Sequence, residues 1–153
     1  MRAVGLDLGE RRIGVAVSDA GGVLASPRAI VERSGDAERA WTEIETIVRE
    51  CAAEVLVVGL PLSLDGEARD AARHAIEQAR QLGERIGIAV EVQDERLTTA
   101  LAIRLRHEST ASRGRSQGRK TRRPRREAPG RRFDAEAAAL ILQSWLDARR
   151  TEP

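Results

Sequence analysis

Three carboxylates occupy positions from which a site for hard cations could be built. Asp7 interrupts a stretch otherwise made of Val, Gly and Leu. An ionised carboxylate among such neighbours is costly unless it is paired or holds a metal. Glu95 follows the apolar alternation of IAVEVQD, at the carboxyl end of a strand, where sites assemble in open α/β sheets. Asp134 opens the last helical pattern of the chain. Each residue also has a plainer reading. Asp7 could bond backbone amides or an arginine, Glu95 could sit in a solvated turn, and Asp134 could cap its helix. Taken together, with long intervals between them, the three suit a site assembled by tertiary structure. Oxygen donors with no cluster of His or Cys favour Mg²⁺ or Mn²⁺. His74 and His107 are isolated and are expected to face solvent. Cys51 reads as a small buried hydrophobe in a helical pattern.

The elements that must position these residues follow from periodicity. AVGLDLG alternates Val4, Leu6 and Leu8, and RIGVAVSD alternates Ile13, Val15 and Val17. With VLASPRAIVE they make a three-strand antiparallel meander. Pro27 cannot donate to a ladder, which predicts an edge or a bulge there. A helix starting at Asp36 places Ala40, Trp41, Ile44, Ile47, Val48 and Cys51 on one face. EVLVVGL reads as a strand covered on both faces. A helix over roughly 67–86, a fifth strand at IAVEVQD and a third helix at LTTALAIRLRHE follow, with Thr98 or Thr99 near that helix's start. The last helix is predicted from about Asp134 to Arg149, with Ala138, Ile141, Leu142, Trp145 and Leu146 as its apolar face. Strands alternating with helices after a meander imply an α/β fold with a mixed five-stranded sheet and helices on both faces.

The length of 153 residues suits a single domain spanning 1–153. No apolar run approaches the ~20 residues of a membrane span, and the start shows no secretion signal. One cysteine excludes an internal disulfide and fits a reducing cytoplasm. The net charge of +2 conceals an asymmetry. Residues 109–132 carry ten Lys/Arg and one Glu, while the rest of the chain is acidic. Such a block is expected to stay poorly ordered and to act as a nucleic-acid-binding arm. Aromatic residues are only 2%, so phosphate contacts rather than base stacking must dominate binding. The candidate contacts are Arg11, Arg12 and Arg96, with Arg113, Arg115, Arg119, Lys120, Arg122, Arg123, Arg125 and Arg126 in the arm.

Four stretches, in order, resemble the YqgF/RuvX family, whose members are described as Holliday junction resolvases or pre-16S rRNA nucleases. They are GLDLGERRIGVAVSD (Gly5–Asp19), VVGLPLSLDGE (Val57–Glu67), DERLTT (Asp94–Thr99) and FDAEAAALILQSWLD (Phe133–Asp147). The resemblance implies an RNase H-like fold, with the family's acidic residues at Asp7, Glu95 and Asp134. It also implies that Gly59–Pro61 and DERLTT line the active face. The arginine-rich stretch departs from the family pattern. One or two Mg²⁺ or Mn²⁺ ions held by the three carboxylates would support phosphodiester hydrolysis. The substrate the resemblance implies is structured RNA, at the 5′ end of pre-16S rRNA. A Holliday junction resolvase acting on branched DNA is the alternative, and it would need a homodimer rather than a monomer. A non-catalytic nucleic-acid-binding protein is a third reading. The D-x-G motif also occurs in sugar kinases and actin, but those proteins close two related domains over a nucleotide, and this chain is too short for a second.

Overall fold

The computed structural model describes residues 1–9, 11–33, 35–60, 66–94 and 129–152; at 60, 66–69, 71, 72, 75, 94 and 129–134 it describes the backbone only. The elements run β1 (Ala3–Leu8), β2 (Arg12–Ser18), β3 (Ala25–Glu32), α1 (Ala37–Glu50), β4 (Val55–Leu60), α2 (Gly66–Ile86), β5 (Ala89–Asp94) and α3 (Pro129–Thr151). The helix expected at LTTALAIRLRHE, and most of the basic segment, lie outside the described residues. The strands form one sheet in the order β3-β2-β1-β4-β5. β1–β2 and β2–β3 are antiparallel, whereas β1–β4 and β4–β5 are parallel. This is the predicted mixed sheet. No helix among the described residues is long and apolar enough to cross a membrane.

Side-chain alternation sorts the residues into two cores. Val4, Leu6, Leu8, Ile13, Val15, Leu56 and Val58 meet α1 and α2 on one face. Ala3, Ala16, Val55 and Val57 meet Ala138, Ile141, Leu142, Trp145 and Leu146 of α3 on the other. β4 therefore contributes to both, as its unbroken apolar run predicts. α1 begins where expected: Asp36 accepts a bond from the Glu38 N–H at 3.0 Å. Cys51 is half-buried at the end of α1 rather than fully buried, because the helix stops on it. Pro27 meets both expectations. β3 is an edge strand, and the register shifts where Ala16 faces Pro27 and Val15 faces Ala29, leaving Arg28 as the extra residue.

α3 starts at Pro129, five residues before the predicted start. Pro-Gly reads as a helix breaker in sequence, but proline is well tolerated in a first turn, where its missing N–H has no intrahelical partner. Arg131 and Arg132 are thus helical, and the basic loop is shorter than 109–132. The helix is fixed to the sheet by polar bonds on two sides. Gln143 accepts from the Ala25 N–H and donates to the Val23 carbonyl, both at 2.9 Å. Toward β5, the Trp145 indole N–H donates to Glu91 at 2.8 Å, and Arg149 stacks over the Trp145 ring while pairing with Glu91 at 3.2 Å.

The β2–β3 turn that receives Gln143 is held by Asp19. Its carboxylate accepts from the Val23 N–H at 2.7 Å and the Leu24 N–H at 3.1 Å. Those bonds, the Val23 one first, lower its pKa below the ordinary value. The charged form therefore stabilises the fold at neutral pH, and this contribution disappears as pH falls through the lowered folded pKa. Asp19→Ala should lower the melting temperature at pH 7. The gap from wild type should shrink as the pH falls below about 4, the ordinary carboxylate value. Thermal melts from pH 7 to pH 2.5 test this; a gap constant across the range contradicts it.

Candidate active site

Among the described residues, Asp7 is the only charged side chain that is buried, at 4% exposure. Its neighbours in sequence, Leu6 and Leu8, point to the α1/α2 core, so alternation sends Asp7 to the α3 face. On that face its partner across β2 is Gly14 and its partner across β4 is Gly59. Both are glycines, so neither places a side chain beside the Asp7 carboxylate. β1 is the central strand, with the antiparallel strands on one side and the parallel ones on the other. A buried carboxylate at the end of that strand, with glycine on both sides, is a suitable oxygen donor for a hydrated hard cation.

Close packing brings α3 onto this face. A Cβ added at Gly5 would lie 2.8 Å from the Leu142 Cβ and 3.1 Å from the Ala138 carbonyl oxygen. Only glycine allows that approach. Asp134 stands one turn before Ala138 and two before Leu142, in the same i, i+4 row of α3. Its backbone position also changes one expectation. Asp134 is the sixth residue of α3, not its cap, so helix capping does not account for an acidic residue there. Glu95 lies immediately beyond the end of β5, outside the described residues. Among the described residues no group of three His, Cys, Asp or Glu is placed to hold a metal ion. Asp7 is thus the member of the predicted set whose side chain is described.

Of the predicted phosphate contacts, Arg12 is half-buried on β2, two residues from Gly14 and so on the Asp7 face. Glu32 is its cross-strand partner. Arg11 is exposed in the β1–β2 turn. Arg96, Arg113, Arg115, Arg119, Lys120, Arg122, Arg123, Arg125 and Arg126 lie outside the described residues, as do Thr98, Thr99 and His107. His74 is exposed, as expected. Arg33 is a further residue beside the site that no motif or periodicity identifies. Its Nη1 donates to the Gly9 carbonyl at 2.8 Å, two residues from Asp7. Only the strand register reveals that contact. A groove of about 290 Å³ between α1 and α2, lined by Trp41, Gln78 and Arg85, lies across the sheet from Asp7.

Residues 1–148 match the family described as "RuvX: Holliday junction resolvase". The chain belongs to the RuvX family. A relative from Anaeromyxobacter sp., named "Putative pre-16S rRNA nuclease", is 43% identical over 150 residues, covering 97% of this chain and 98% of its own. One of the same name from Trichormus variabilis is 39% identical over 149 residues, covering 97% and 89%. Among solved structures, T. thermophilus RuvC in complex with a Holliday junction substrate aligns with a TM-score of 0.59 and 17% identity, covering 99% of this chain and 97% of its own. The Fowlpox virus resolvase, in complex with Holliday junction DNA, aligns with a TM-score of 0.55 and 9% identity, covering 97% and 99%. At those identities the likeness concerns the fold, and it agrees with the RNase H-like architecture expected for a RuvX member.

Proposed function

We propose that this RuvX-family protein is a metal-dependent nuclease that hydrolyses phosphodiester bonds in structured RNA, in maturation of the 5′ end of pre-16S rRNA. The observation that carries the reading is the buried Asp7 carboxylate between two glycines, on the face onto which α3 packs. The names of the curated relatives supply the substrate. Asp7, Glu95 and Asp134 form the proposed carboxylate set. On β5, Glu91 and Gln93 bond α3 side chains, and Glu95 follows this strand in the sequence. Mg²⁺ or Mn²⁺ held by this set, as one or two ions, would supply Lewis-acid activation of water and of the scissile phosphate.

The protein's own residues do the positioning. Asp7 offers a carboxylate fixed by ladder pairs on both sides. Arg12, on the same face, meets a non-bridging phosphate oxygen of the substrate, and exposed Arg11 reaches the flanking backbone. The arginine-rich segment supplies longer-range attraction to phosphates. Free Cys51 is in keeping with work in the cytoplasm.

A second reading, resolution of four-way DNA junctions, is favoured by the description of the family and the titles of the structural neighbours. Incubating purified protein and Mg²⁺ or Mn²⁺ with precursor 16S rRNA and with a four-way junction separates the two. The proposed function predicts cleavage near the mature 5′ end and an uncut junction. Paired symmetric nicks in the junction, made by a dimer, establish the alternative instead.

Deleting residues 112–128 removes eight basic residues. The variant should bind RNA more weakly, with a flatter dependence on salt. Each lost phosphate contact should change the log–log slope by about 0.7–0.9. A titration from 50 to 300 mM salt that returns the wild-type slope shows that the segment is not the binding arm.

A further inference from the structure

We infer that Arg33 is a positioning residue for this site, acting through the turn that joins β1 to β2. The inference rests on the proposed role of Asp7. Arg33 directly follows β3 and is half-buried. Its backbone N–H donates to the Arg11 carbonyl at 2.8 Å, and its Nη1 donates to the Gly9 carbonyl at 2.8 Å. The Gly9 N–H donates to the Arg12 carbonyl at 3.0 Å. The carbonyls of Gly9, Arg11 and Arg12 are therefore all engaged, two of them by Arg33. A Cβ at Gly9 would lie 2.5 Å from the Arg12 carbonyl oxygen.

The same guanidinium reaches a second element. Its Nη2 donates to Gln78 of α2 at 3.2 Å. α2 comes after the carboxyl end of β4, and β4 contributes Gly59, the neighbour of Asp7. One side chain thus ties the turn that leaves Asp7 to the helix that follows β4. The planar fork of arginine can bond in both directions at once, and its charge strengthens both bonds. Lysine keeps the charge but not the fork. Because these donors are spent on a carbonyl and an amide, Arg33 acts through the turn and not on the substrate. Moving reacting groups by about 1 Å can cost on the order of a hundredfold in rate.

The test compares Arg33→Ala, Arg33→Lys and Gln78→Leu with wild type and with Asp7→Asn. Cleavage kinetics give kcat and KM. Calorimetric Mn²⁺ binding and amide hydrogen exchange at Gly9 need no turnover. Arg33→Ala should lower kcat about 10–100-fold and weaken Mn²⁺ binding, with KM near the wild-type value and faster exchange at Gly9. Arg33→Lys should restore little, and Gln78→Leu should shift the same quantities less. Wild-type kcat and Mn²⁺ affinity in folded Arg33→Ala would make the contact a stability tie alone, and a raised KM with unchanged kcat would make Arg33 a phosphate contact. Either result overturns the inference. If Arg33→Ala does not fold, Arg33→Lys and Gln78→Leu decide it by the same readouts. Wild-type cleavage by Asp7→Asn overturns the site itself, whereas inactive Asp7→Asn beside unimpaired Arg33 variants overturns only the role of Arg33.

Discussion

Asp7→Asn is expected to fold normally and to lose metal-dependent cleavage by at least about a hundredfold, equivalent to roughly 2.7 kcal/mol of transition-state stabilisation. The substitution preserves size and shape but removes the charge that makes a carboxylate a strong ligand for a hard cation. Asp7 is 4% exposed, so the substitution acts at a buried position where side-chain volume must be kept. Melting temperature in metal-free buffer measures the effect on the fold separately from the loss of metal. Saturating Mn²⁺ should raise the melting temperature of wild type, by about 2.7 kcal/mol of added stability at a hundredfold excess over Kd. It should leave the variant unmoved. Two measurements, cleavage and metal-dependent melting, thus address one carboxylate. A variant that cuts RNA at the wild-type rate ends the catalytic assignment.

Gly5→Ala should produce the second large effect, although the change is a single methyl group. That methyl would meet the Leu142 Cβ at 2.8 Å and the Ala138 carbonyl oxygen at 3.1 Å. Neither atom lies at the end of a flexible side chain, so relief requires α3 to move off β1. Overpacking of this kind costs about 1–3 kcal/mol, which denaturant unfolding would measure. Asp134 lies one turn from Ala138, so the displaced helix should carry it away from Asp7. Cleavage should then fall more than the loss of folded protein explains. A destabilised variant with full activity per folded molecule would show that the spacing between α3 and β1 is irrelevant to the site.

Much of this arrangement could be read before any coordinates. The meander, the helix cap at Asp36, the two-sided burial of β4 and the edge position of Pro27 all follow from period and residue type, because local sterics and burial set them. The burial of Asp7 also followed, since its neighbours on β1 are apolar. What escaped was what depends on register or on longer context. The Pro129-Gly130 pair concealed the true start of α3, and with it the fact that Asp134 is too far inside the helix to be a cap. Arg33 sits beside a strand whose pattern is ordinary, and its role appears only when β3 is paired with β2 and α2 is laid alongside. Gln143 and Asp19 are similar: each bonds backbone groups that no periodicity identifies. Glu95 and most of the basic segment fall outside the described residues, and their roles rest on the family resemblance and on charge.

The sheet keeps its two apolar layers apart, with Asp7 on the α3 side and the α1–α2 groove on the other. Engineering for robustness can therefore begin behind the sheet, for example by filling that groove around Trp41 and Leu82, with catalysis left largely undisturbed. Gln78 is the exception to respect, since it lines the groove and also holds Arg33. Libraries that randomise the rear layer should keep that glutamine fixed.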